Sequence, residues 1–361
     1  MILPQVTPAV VHEGDEMKKN LQMTGKLLYK YRFFWQKFGI MLLTLALTTV
    51  LVFFVLLMTP GDVVYNYALT IQATQRVDYE YAYKLATQTL HWDPDANFFV
   101  KFGDFLESLM GGQFGVSIYN ESITGLKLIT EKLPWTLFIS TIALLISFVL
   151  GTTLGAIMAR KRNSPVEAVG NAYIMLASAV PDYLIGLLLL IVLSYKLRLF
   201  PSNGHYDAAL VEIGFNLPFI INVAQHAFLP ILTYVVSGTC GWMMLMRSNV
   251  VGILGEDYIL CAKARGIPER TIISKYMKKS AMLPLITSVA LTFAGLFGGS
   301  ALIESVFNYP GLGLEFSNRV GLRDYFVMAG LLFFTSSIVI IANFITDCLY
   351  SVIDPRVRRS V

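Results

Sequence analysis

Six stretches of this chain, 38–59, 135–159, 171–195, 226–246, 283–306 and 326–350, are almost continuously apolar. A hydrocarbon layer about 30 Å thick is crossed by a helix of about 20 residues, so each stretch is long enough to span a bilayer. Backbone N–H and C=O groups find no partner in lipid, and the stretches lack the alternation of barrel strands, so helices are the expected solution. Only 14% of the 361 residues are charged and 55% are hydrophobic, against roughly 25% charged in soluble domains. The fold class expected is therefore an all-α integral membrane protein with six transmembrane helices.

The basic residues orient those helices. Of the 28 Lys and Arg, 19 lie before the first span, between the second and third, between the fourth and fifth, and after the sixth. Basic loops are retained on the cytoplasmic side, which places both chain ends there. The organisation expected is a cytoplasmic segment 1–37, a first span 38–59, an external insert 60–134, and five further spans within 135–350 that include a cytoplasmic loop at 247–282. A cytoplasmic tail, 351–361, completes it. The net charge of +4 follows from this asymmetry, and no segment reads as nucleic-acid-binding. The insert is too long for a structureless loop and is expected to be a small subdomain, with one amphipathic helix in ANFFVKFGDFLESLMGG. The first apolar run has no small-residue cleavage site after it and reads as an uncleaved anchor. Cys240, Cys261 and Cys348 are not placed for an external disulfide.

Few residues point to chemistry. A GxxxxGK[ST] phosphate cradle, an HExxH pair and a GxSxG elbow are all missing, and the four histidines are scattered, so the chain is expected to hold no nucleotide, metal or cofactor and to be no enzyme. Asp182 stands out because charge is costly in lipid. It follows Pro181 in the third apolar run, where a lost helical hydrogen bond favours a kink that could line a water-filled path; an Asp satisfied by neighbouring helices is the alternative. Glu304 and Asp347 fall near span ends, where interfacial solvation is expected. No Asp/Glu/His chain crosses the spans, which disfavours a proton-coupled carrier, and the missing catalytic constellation disfavours an intramembrane enzyme. Gly151-x-x-x-Gly155 and Gly295-x-x-x-Gly299 allow close helix approach, either within the chain or to another subunit.

The loop between the fourth and fifth spans is unusually elaborate. Residues 247–284 carry ten charged side chains. A short helix over 256–265 is expected, with acids at its start and Gly266 as its stop, and Pro268 opens a second. On the first helix Tyr258, Cys261, Ala262 and Arg265 share a face of mainly small residues, suited to close docking. A merely solvated loop is the alternative.

At this point the residues resemble a family. GEDYILCAKARGIPERTIISKYMKKSAMLP is similar to the EAA-type coupling loop of binding-protein-dependent ABC importer permeases, in particular the oligopeptide/dipeptide group. Asp257-Tyr258, Ala262-Lys263-Ala264-Arg265-Gly266 and Leu283-Pro284 carry the likeness. TPGD at 59–62, EKLPWTL at 131–137, VPDYLIGLLL at 180–189, ESVFNYPGLGLEF at 304–316 and DCLYSVIDPRVR at 347–358 spread it over most of the chain. Leu260 stands where the triplet's acid is usual, and Val63 where a second proline usually follows PGD. The resemblance implies a type I ABC importer permease (MetI-like) fold in the cell membrane and transport by alternating access. It implies that Tyr258, Ala262, Ala264, Arg265 and Gly266 couple the chain to ATPases. The implied partners are a second homologous permease, two cytoplasmic ABC ATPases that bind ATP and Mg, and an external solute-binding protein. Peptides are the implied cargo, with nickel, glutathione or oligosaccharides as alternatives; a self-contained carrier or channel is a reading of another class.

Overall fold

Residues 8–58, 63–90, 96–120, 122–268 and 271–353 are described by the computed structural model. Their regular structure is helical, apart from one isolated bridge between Val116 and Thr124. The TPGD motif at 59–62 and the end of the last motif from 354 onward lie outside the described residues.

The first apolar run, Arg32–Leu57, belongs to a long helix α1 (Pro8–Leu57). Three short helices follow: α2 (Val63–Gln75), α3 (Tyr79–Leu90) and α4 (Phe98–Met110). The expected amphipathic helix is α4, started by Asn97, whose side chain accepts from the Val100 N–H at 3.0 Å. The helices α2 and α3 had no sequence signal strong enough to name them.

Among the described residues four further helices are long and apolar enough to cross a membrane, or five if a bent pair counts as one span. They begin with α5 (Gly125–Arg160). The bent pair comes next, α6 (Pro165–Ala179) and α7 (Asp182–Leu189), the latter continuing as a π-helical turn through Leu190–Lys196. Then come α8 (Leu217–Ile253) and a short α9 (Asp257–Ala264). A π-helical stretch, Ile272–Met277, leads into α10 (Lys278–Gly295). The chain finishes with α11 (Ala301–Val306), α12 (Leu312–Leu322) and α13 (Tyr325–Ile353).

Two of the expected spans are interrupted. The run 171–195 is no single helix: α6 and α7 meet at 100°. Val180 is forced into extended backbone, ψ 124°, by the proline that follows it. The run 283–306 breaks after a 3₁₀ turn, Leu296–Gly298, where Gly299 adopts φ +64° and Ser300 caps α11. The fourth span is longer than expected, because α8 continues to Ile253; at 1.5 Å per residue its 37 residues reach about 55 Å, well past the hydrocarbon.

α5 and α8 form the centre of the bundle. They run parallel, with Ser147 beside Gly238, Gly151 against Thr239 and Trp242, and Gly155 against Met243 and Met246. A Cβ at Gly151 would stand 2.8 Å from the Thr239 carbonyl, so this glycine pair packs the chain against itself. Gly295 differs: nothing lies within 4 Å of where its Cβ would be.

The segment 63–124 is no free-standing subdomain. Its core residues, among them Val64, Ala68, Ala82 and Phe105, merge with Phe53 of α1 and Ala329 of α13. Asp324, fully buried, accepts from Ser117 Oγ at 2.6 Å, from the Ile118 N–H at 3.3 Å and from Arg319 Nη1 at 3.1 Å. Arg319 also donates through Nε to Glu315 at 2.8 Å. Burial opposes the charge on Arg319, but Glu315 and Asp324 more than offset it and hold the guanidinium above its ordinary pKa. At the opposite end of the bundle, Lys37 of α1 pairs with Asp347 of α13 at 2.8 Å.

Candidate functional site

Two places join residues that the sequence singled out. The first is the connection between α8 and α10. Glu256 precedes α9 in extended backbone, and Asp257 in the first turn complements the helix dipole. The stop is a Schellman motif: the Gly266 N–H donates to the Lys263 carbonyl at 2.9 Å and the Ile267 N–H to the Ala262 carbonyl at 3.2 Å. Gly266 is needed there because φ is +70°.

α9 is seated on its own chain. Ile259 and Ala262 are buried, 0% and 4% exposed, against Val250 of α8, Ile272, Met277 and Ala281. Ala262 was expected on the docking face and is not; its methyl belongs to the inner face. The outer face consists of Tyr258, Leu260, Cys261, Lys263, Ala264 and Arg265, with Tyr258 41% and Leu260 52% exposed. The structure therefore brings Tyr258, Ala264, Arg265 and Gly266 together at one exposed corner and sets Ala262 behind them. The same end of the bundle carries a further clamp, in which Arg247 donates to Glu167 of α6. Glu167 also accepts from the Asn163 N–H at 2.6 Å.

The second place is the elbow between α6 and α7. Asp182 opens α7 and is exposed. One turn further on, Gly186 of α7 packs against Thr233 of the neighbouring α8, next to Tyr234. Tyr234 packs in one cluster with Ile303 and Phe307, just past the break in the fifth span. Glu304, expected at a solvated interface, is 0% exposed. It accepts from Thr136 Oγ1 at 2.9 Å and from the Leu314 N–H at 2.9 Å, while Thr136 accepts from the Leu312 N–H at 2.7 Å. The pair thus satisfies the otherwise unpaired donors at the start of α12. A carboxylate joined to the first turn of a helix ten residues later leaves no local spacing signature, so sequence reading could not assign it. His205 packs beside these elements, 4.4 Å from the Trp135 ring, and burial with the nearby Lys132 pushes its pKa down to about 4.

Among the described residues no group of three or more His, Cys, Asp or Glu side chains could hold a metal ion. What the arrangement offers is mechanical: a small rigid helix at one end of a bundle, and two broken spans meeting at its middle.

Comparison with known proteins agrees with that reading. The chain is 34% identical over 312 residues to a protein of Brucella suis biovar 1 provisionally named a peptide permease, covering 86% of this chain and 93% of that one. It is 29% identical to the oligopeptide transport system permease protein AppB of Bacillus subtilis, over 72% of this chain and 80% of that protein. To the dipeptide transport system permease protein DppB of Lactococcus lactis subsp. cremoris it is 28% identical, over 91% of this chain and 99% of that protein. Residues 151–359, which hold α9, the elbow and both broken spans, match the sequence profile described as binding-protein-dependent transport system inner membrane component. The chain belongs to that family.

Proposed function

We propose that this chain is the membrane-spanning permease subunit of an ATP-driven peptide importer. In this reading α9 is the coupling helix and its end of the bundle is cytoplasmic, as the basic residues favour. Two cytoplasmic ATPases, which bind ATP and Mg, push on the face made by Tyr258, Ala264, Arg265 and Gly266. A second, homologous permease completes the path, with Asp182 lining it, and an external solute-binding protein delivers the cargo. Peptide cargo is favoured by the names of the three relatives above.

The observation that carries the proposal is the seating of α9. Its inner face is fused to the ends of α8 and α10 while its outer face is exposed among the described residues, so a push on the outer face moves those spans. The test is Gly266→Val in the assembled importer. A β-branched residue at φ +70° costs about 1–3 kcal/mol and unwinds the stop. Peptide uptake and peptide-stimulated ATP hydrolysis are expected to be lost while membrane insertion is kept; normal uptake by this variant would contradict the coupling role.

A further inference from the structure

The elbow between α6 and α7 stands at mid-height in the bundle. The bent pair follows α8 along its length, from Glu167 against Arg247 at one end to Phe200 stacked on Phe228 at 4.2 Å near the other. Between them, Gly186 lies against Thr233 and Phe307, and the elbow itself turns outward with Ser178, Ala179, Pro181 and Asp182 exposed. A hydrocarbon layer of about 30 Å crossed by the roughly 55 Å of α8 must include the middle of that helix, so this height falls within the layer.

A carboxylate exposed at that depth cannot face acyl chains, where its charge costs about 3 kcal/mol or more. Nor does any Lys or Arg among the described residues form an ion pair with Asp182. A second feature points the same way. The Tyr234 hydroxyl is shut off from solvent; Tyr234 packs in one cluster with Ile303 and Phe307 of the restarted fifth span, and Gly186, one turn after Asp182, packs on the adjacent Thr233. Ser300 is the cap that restarts the fifth span after Gly299. Two interrupted spans thus converge on one side of α8 around a carboxylate without an ion pair among the described residues and an enclosed hydroxyl. Interrupted helices in lipid are tolerated where they line a cavity, and their ends frame the sites of cargo and ions.

We infer that this elbow is a cation-binding station on the translocation path, where Asp182 takes the ammonium or guanidinium group of a basic peptide and Tyr234 adds a hydrogen bond to it. The assignment rests on the reading of the chain as a peptide permease subunit. The competing occupant is a fixed cation from the second permease.

The experiment uses the whole importer in proteoliposomes, fed with trilysine and, separately, trialanine through its binding protein. Uptake of trialanine by the unaltered importer checks the peptide reading by itself, and its absence would sink that reading before Asp182 is touched. With Asp182→Asn the ratio of trilysine to trialanine uptake, each as kcat/KM, is expected to fall about tenfold, and Asp182→Glu to restore most of it. Equal loss of both uptakes, with the ratio unchanged, would assign Asp182 to a fixed partner cation and overturn the station. An unchanged ratio with normal uptake of both would overturn it as well.

Discussion

The charge and space around single side chains on α9 decide which of them can meet a partner. Ala262 sits 4% exposed against Ile272 and Met277, so an arginine there must either displace the helix or bury a cation. Ala262→Arg is expected to destabilise the α8–α10 connection by about 1–3 kcal/mol and to lower the melting temperature of the detergent-solubilised chain. Leu260→Arg, at a position 52% exposed, should leave melting unchanged in the isolated chain and act only on the assembled importer. If the two variants melt alike, the inward placement of Ala262 is wrong. The helix and its glycine stop were legible because Gly266, Pro268 and the acids at 256 and 257 are local signals. Which way Ala262 points was not, since a small residue suits a docking face and a packed seam equally well.

For the helices, the glycine pairs separate two roles that share one pattern. Gly151 and Gly155 meet α8 backbone and Cβ atoms at contact distance, whereas Gly295 meets nothing. Gly151→Leu is expected to force α5 and α8 apart, at a cost of at least about 1–3 kcal/mol, and to abolish stable expression. Gly295→Leu should be tolerated by the chain alone, and a loss confined to the assembled complex would place a second subunit there. Thermal melting of both, alone and assembled, separates these outcomes. Spans one, two, four and six were readable as uninterrupted runs of apolar residues. The breaks in three and five were not, because an average of hydropathy passes over a Val180–Pro181 elbow or a Gly299 turn without dipping. Pro181 announced a kink, but its size, 100°, depends on α8 holding α6 and α7 along different lines.

For the whole molecule, the segment 63–124 and the α8–α10 connection lie at opposite ends of α5, and the chain fastens the first of them to α13. Asp324 holds Ser117, Ile118 and Arg319 at once, and breaking such a buried pair costs about 3 kcal/mol. Asp324→Ala is expected to raise hydrogen exchange throughout α2–α4 while leaving α9 protected; equal change in both would deny that the fastening is local. Composition gave the membrane and the existence of an ordered insert, yet nothing in residues 63–124 says that Ser117 answers an acid more than two hundred residues away.

That fastening turns the last span into a pointer. From Asp347 back to Tyr325 α13 is about 33 Å long, so a tilt of about 10° pivoting at the Lys37–Asp347 pair sweeps its far end by about 6 Å. The segment 63–124, bolted to that far end, travels with it as the needle of a gauge. Whatever rests on that surface therefore reads the angle of the bundle directly, without a signal passing through the path that the cargo takes.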